Sequence, residues 1–151
     1  MTKIPTVPPI VNRAMTYILR SPVHGMVSKS ILLITFTGRK SGKAYTTPVG
    51  YSEHNGQVYI FTHHTWWKNL RSGKPAGAPV TLRIRGQDFQ GLAEPVAEDK
   101  KSVAAGLQTH LRKVPGDARY YGVTFDEHKN PRASEVEQAA QEVVMIRVQL
   151  C

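Results

Sequence analysis

The sequence is almost without cysteine and, through its first half, almost without acid. Its single cysteine, Cys151, is the last of 151 residues. That excludes a disulfide framework and a thiolate metal site, leaves a catalytic thiol without support, and fits a reducing, cytoplasmic setting. No run approaches the ~20 apolar residues of a membrane span, and Met1-Thr2-Lys3-Ile4-Pro5 leads into no signal-peptide core, so a soluble protein is expected. Acid is the scarcest feature: residues 1–87 hold 12 Lys/Arg against Glu53 alone, whereas residues 88–151 hold 8 Lys/Arg against 10 Asp/Glu. The net charge of +9 therefore sits at the front of the chain. A one-sided excess of this kind suits an anionic partner: nucleic acid, an anionic membrane or a polyanionic small molecule.

The length suits one domain, read here as residues 31–151 with an N-terminal extension over residues 1–30. In the extension, Pro8-Pro9 precedes Ile10, Val11, Ala14, Met15, Ile18 and Leu19 on one helical face. This amphipathic helix is expected to pack on the domain, with peripheral membrane contact as the alternative. A short helical piece is expected over His24 to Lys29. Ile31 to Thr37 reads as a buried strand, Tyr45 to Glu53 as a second with Pro48 at a bulge or edge, and Val58 to Thr62 as a third. Asn55-Gly56 supplies the two positive-φ residues of a tight hairpin turn between the last two. Thr65 is expected to cap a short helix at Trp66 to Leu70, and Ser72 to Pro79 is expected to be a loop. Val80 to Arg85 alternates apolar and polar, and a turn at Gly86-Gln87 leads to a fifth strand, Phe89 to Val96. A helix from Glu98 to Lys113 follows, with Val103, Ala104, Leu107 and Leu111 inward. After an ambiguous Ala118 to Phe125 and a charged loop, Ser134-Glu135-Val136-Glu137 opens a helix in a capping-box pattern. Val143 to Leu150 is a sixth strand. Strands joined mostly by hairpins indicate an antiparallel barrel or sandwich.

The chemistry concentrates at Thr37-Gly38-Arg39-Lys40-Ser41-Gly42-Lys43. Three cations, two hydroxyls and two glycines suggest a mobile loop whose N–H groups turn toward a phosphate while the cations complete its shell. It is not a nucleotide P-loop: Gly38 and Gly42 are four apart instead of five, Ala44 follows Lys43 where Ser or Thr is needed, and extended chain follows where a helix should start. The adjacent His63 and His64 point to opposite faces in extended chain and lack a neighbouring carboxylate, so no metal site is expected.

Thr37-Gly38-Arg39-Lys40-Ser41-Gly42 after an apolar strand, then Thr47-Pro48-Val49, then Trp66-Trp67-Lys68-Asn69-Leu70, resembles the deazaflavin-dependent nitroreductase and quinone reductase family. Those proteins belong to the flavin-binding split β-barrel superfamily, and the likeness covers roughly Leu32 to Val96. It implies a mainly β fold, a six-stranded antiparallel split β-barrel with flanking helices. It also implies a groove for coenzyme F-420, a deazaflavin whose tail is a small polyanion. By position, Arg39, Lys40, Ser41 and Lys43, on the Gly38 and Gly42 loop, would hold the phosphate and tail carboxylates. Thr46, Thr47, Pro48 and Val49 would line the ring and ribityl portion. Thr62, His63, His64, Trp67, Asn69 and Leu70 would complete the cofactor contacts. The implied activity is an oxidoreductase that passes a hydride to a small electrophilic acceptor such as a quinone, enone or nitro compound. Tyr120, Tyr121 and His63 are the candidates at the reacting face. A homodimer is implied by the resemblance alone. Family members that reduce nitroimidazoles carry a longer loop with a lysine where His63-His64-Thr65 stands here, which keeps FMN, FAD or haem as alternative ligands. Two readings of other classes compete: a non-catalytic cofactor or lipid carrier, and a nucleic-acid-binding barrel stacking bases on Tyr45, Tyr51, Tyr59 and Trp66. The clustering of the cations at one loop disfavours the second.

Overall fold

The computed structural model describes residues 31–71 and 77–151. The expected N-terminal extension and residues 72–76 of the expected loop lie outside the described residues. Six strands form, β1 (Ile31–Thr37), β2 (Ala44–His54), β3 (Gln57–Thr62), β4 (Ala78–Ile84), β5 (Gln87–Val96) and β6 (Val144–Leu150). They close into an antiparallel barrel in the order β1-β2-β3-β6-β5-β4, with β4 pairing back onto β1. Closure gives each strand a partner on either side along at least part of its length, the standard answer to exposed sheet edges.

The alternation of side chains explains both faces. Leu32, Ile34, Ile60, Leu82, Ile146 and Val148 point inward and are wholly or almost wholly inaccessible. Each such side chain is worth roughly 1.5–3 kcal/mol of apolar burial. Their neighbours Phe61 and Met145 point outward, into a second core shared with two helices, α1 (Lys100–Lys113) and α2 (Ala133–Glu142). There α1 contributes Val103, Leu107 and Leu111, and α2 contributes Val136 and Ala140. The helix comes close to the barrel at Gly106, where an added Cβ would run into the Met145 sulfur. Among the described residues there are also two 3-10 helices, Trp66–Leu70 after β3 and Pro115–Tyr121 after α1. Among the described residues no helix is long and apolar enough to cross a membrane.

The hairpin at Asn55-Gly56 is as the sequence requires, with φ of 51° and 75°. The β4–β5 turn sits one residue earlier than expected, at Arg85-Gly86 with φ of 49° and 80°, because Gln87 already pairs with Ile84. Arg85 is thus a turn residue outside the alternation of β4, and Arg83 within it meets Asp88 across the hairpin at 3.0 Å. Three caps also differ. α1 starts at Lys100, because the Asp99 side chain takes the Ser102 N–H and hydroxyl at 3.2 and 2.7 Å. Thr65 caps through its carbonyl, which accepts from Lys68 N–H, and its hydroxyl makes no cap. α2 starts before Ser134, so the capping box is not formed; Glu135 instead accepts from the N–H and hydroxyl of Thr124 at 2.8 and 2.6 Å.

Candidate functional site

β2 is long and changes partner midway. Ala44 to Gly50 pairs with β1, but pairing with β3 runs only from Tyr51 to His54. Beside the first half of β2 the barrel wall parts, and a cavity of about 320 Å³ lies there. Thr47, Pro48, Val49 and Gly50 all line it. Successive side chains face opposite ways, so four consecutive residues can border one cavity only where it meets the strand's edge. Pro48, with no N–H to give, belongs at such an edge.

The remaining wall comes from Ile31, from Phe61 and Thr62 at the end of β3 and His64 beyond it, from Trp66, and from Asp117, Tyr120 and Tyr121 of the second 3-10 helix. That helix ends because Gly122 turns left-handed at φ 71°, which fixes the two tyrosines at its last turn. His63 stacks on Tyr121 with 5.6 Å between ring centroids, and meets Tyr120 edge-on at 5.4 Å. The structure therefore brings Tyr120, Tyr121 and His63 together at one margin of the cavity. Burial, with help from the negative charge of Asp117, pushes the Tyr121 phenol far above its usual range, so it keeps its proton. Burial lowers His63, partly offset by Glu142, which favours its neutral form.

The basic loop closes on itself. Gly38 N–H donates to Lys43 C=O and Gly42 N–H to Gly38 C=O, both at 2.8 Å. Lys43 N–H donates to the Ser41 hydroxyl, which also meets the Tyr45 hydroxyl at 3.1 Å. Gly38 is required by close approach: a Cβ there would stand 2.6 Å from the Tyr45 ring and 2.7 Å from Ser41 Oγ. Gly42 is required by its φ of 71°. The expectation of a mobile backbone cradle is thus corrected, since most of the loop's N–H groups are engaged within the protein. The side chains of Arg39, Lys40 and Lys43 are exposed.

Loop and cavity are joined through Asn69, which is almost fully buried. Its Oδ1 accepts from Arg39 N–H at 3.1 Å and its Nδ2 donates to Trp66 C=O at 2.9 Å. A second link is aromatic: Trp66, on the cavity wall, stacks on Phe36 at 5.2 Å, and Phe36 stacks on Tyr45 at 6.1 Å. Of the residues singled out from sequence, Thr47, Pro48, Val49, Thr62, His64, Tyr120 and Tyr121 border the cavity. Thr46 bonds Thr35 across the sheet at 2.8 Å, Leu70 is in the barrel core, and Trp67 lies away from the cavity under the Arg71 guanidinium, 4.6 Å from its ring centre. Gly50, Ile31, Phe61 and Asp117 were not singled out, and Trp66 was named in the family motif and as a base-stacking ring but not for the cofactor site. Trp66 stands next to the tryptophan that was, and a 3-10 turn decides which of two adjacent side chains faces which way. Of the four rings named for base stacking, Tyr51 and Trp66 are buried and only Tyr45 and Tyr59 stay partly exposed.

A model of the F420H2-dependent quinone reductase family matches residues 14–124. No match was found among curated proteins. Among solved structures, an F420 reductase is 12% identical with a TM-score of 0.51, covering 89% of this chain and 91% of that one. The heme storage protein HutZ from Vibrio cholerae is 9% identical with a TM-score of 0.52, covering 87% and 90%. A structure described as a domain-swapped dimer is 19% identical with a TM-score of 0.51, covering 92% and 96%. At these identities the likenesses establish the fold, and a fold that hosts proteins named for different cofactors does not by itself choose one.

Proposed function

The chain belongs to the F420H2-dependent quinone reductase family, and from that premise we propose that it reduces quinones, enones or nitro compounds with coenzyme F-420 held between the basic loop and the β2 edge. The observation that carries this reading is the coupling of the two regions by Asn69, which ties an exposed cluster of cations to a largely apolar cavity. A flat heterocycle with an anionic tail is the ligand chemistry that uses both. Arg39, Lys40 and Lys43 are suited to phosphate and carboxylates, Arg as a planar fork and Lys as a point charge. Thr47 to Gly50 offer a strand edge to the polar rim of a ring, and Trp66 and Pro48 offer apolar contact to its surface. When bound, the reduced deazaflavin supplies a hydride. The chain's part is to align an acceptor, exclude water and hold protons where they are needed. Tyr121 keeps its phenolic proton and so offers a hydrogen bond to a carbonyl or nitro oxygen, while neutral His63 packs against its ring. A homodimer remains part of this reading, supported by a structural neighbour described as a domain-swapped dimer.

The test is turnover: purified full-length protein, reduced coenzyme F-420 and a panel of one naphthoquinone, one cyclic enone and one nitroaromatic. Oxidation of the coenzyme matched one to one by reduced acceptor is the expected result. Tight binding of the coenzyme with no oxidation by any acceptor would favour the carrier reading instead.

A further inference from the structure

One group on the cavity wall has no part in the reading above. Asp117 borders the cavity with its side chain about 30% accessible, and its Oδ2 lies 2.9 Å from Nε2 of His110. His110, from the last turn of α1, is 1% accessible; its ring packs at 5.3 Å from Phe61 and edge-on to Tyr121 at 6.4 Å. A carboxylate can only accept, so the proton of this contact lies on Nε2. The other ring nitrogen, Nδ1, is buried without a partner among the described residues, which is better tolerated by a bare lone pair than by an N–H. A polar ring inside an otherwise apolar second core is thus committed to one task, holding a single carboxylate oxygen.

The consequence concerns the other oxygen. Around Asp117 the wall is mostly apolar or aromatic, with Pro48, Val49, Phe61 and Trp66 among its members. An acceptor-only group with one oxygen held by His110 and its side chain about 30% accessible discriminates once a flat ligand covers it, because an acceptor then cut off from water and left unmatched is costly. Given that the acceptor meets Tyr121 at this cavity wall, as the proposed function has it, we infer that Asp117 is its specificity-determining residue, selecting flat acceptors that carry a hydroxyl or N–H donor. A methyl ether in that place wastes the carboxylate, and a ligand carboxylate is repelled by it. His110 acts as a positioning residue. The competing account is that the pair merely ties α1 to the second 3-10 helix, which calls for lost stability on mutation and no ligand preference.

The test is equilibrium binding of 2-naphthol, 2-methoxynaphthalene and 2-naphthoate to the full chain, with and without oxidised coenzyme F-420. The wild type should bind the naphthol at least about tenfold more tightly than the ether, as expected for a hydrogen bond to a charged group. In Asp117→Asn the single amide oxygen is taken by His110, so an NH2 faces the cavity; the naphthol preference should fall to within about twofold and naphthoate should gain. His110→Gln, which keeps a donor, should retain more of the preference than His110→Phe, a difference a purely structural tie would not produce. Should the variants fail to fold, histidine NMR of the wild type decides: the naphthol must shift the His110 ring signals and the ether must not. Equal affinities for naphthol and ether, or an unchanged preference in Asp117→Asn, would overturn the inference. The series needs no turnover, so a failure of hydride transfer would count against the functional reading separately.

Discussion

Asn69→Ala should weaken both the fold and the hold on the coenzyme, by amounts that the hydrogen bonds set. The side chain is 7% accessible and joins Arg39 N–H to Trp66 C=O. Arg39 is exposed, so water replaces Asn69 at its N–H for roughly 0.5–1 kcal/mol; the Trp66 carbonyl is more enclosed, and its loss costs about 1–2 kcal/mol. The sum, ~2 kcal/mol, corresponds to a Tm lower by about 4–8 °C in a domain of this size. The released loop must also be ordered again on binding. Refixing one residue costs about 1–2 kcal/mol, which raises the Kd for coenzyme F-420 roughly 5- to 30-fold. Asn69→Asp is the control, since it keeps an acceptor for Arg39 N–H but loses the donor to Trp66; it should lose stability yet bind the coenzyme better than Asn69→Ala does. Thermal melts and fluorescence titration read the two effects. A stability loss under about 0.5 kcal/mol, or a full loss with unchanged affinity, would refute the argument that this side chain couples loop to cavity.

Other consequences are as specific. Arg39→Ala with Lys40→Ala should weaken coenzyme F-420 far more than its tail-less ring fragment, and equal losses by titration would contradict the loop's assigned role. Gly38→Ala pushes a methyl into the Tyr45 ring and Ser41 and should cost about 1–3 kcal/mol in denaturant melts; a neutral outcome would show that the loop is not packed as described. Hydrogen bonds from Thr124 hold the Glu135 carboxyl below its usual range. A folded value below the unfolded one means stability present above the unfolded pKa and lost as pH falls through the folded value. Glu135→Gln should therefore flatten part of the acid limb of urea midpoints below about pH 4.5, leaving the part that Asp99, similarly lowered by Ser102, contributes; an unchanged limb would argue against the Thr124 contact.

Much of the barrel was legible because its signals are local. The short apolar, β-branched run at Ile31 to Thr37, the apolar–polar alternation from Val80, and Asn-Gly at 55–56 each force one conformation on a short segment. What escaped the sequence depends on partners distant in the chain. Arg85 adopts a positive φ only because Gln87 is already paired with Ile84, and Ser134 loses its capping role because α2 already begins at Ala133, after an Arg132 whose N–H is held by the Thr124 carbonyl. The site divides in the same way. The basic loop and the Thr47-Pro48-Val49 edge stand out as composition, whereas the cavity's far wall is assembled from a 3-10 helix whose register the residues after Pro115 do not announce. Asp117 gave no signal at all, since its meaning lies in a buried histidine seven residues earlier that looks, in sequence, like one more polar residue in the last turn of α1.

The most direct test of the account is a side-by-side titration of ligand-stripped protein with coenzyme F-420, FMN, FAD and haem at low and moderate salt. Exposed cations gripping an anionic tail predict that coenzyme F-420 binds most tightly and that salt weakens it. A flavin or haem binding more tightly, or coenzyme binding indifferent to salt, would contradict the assignment of the loop and the cavity to a deazaflavin.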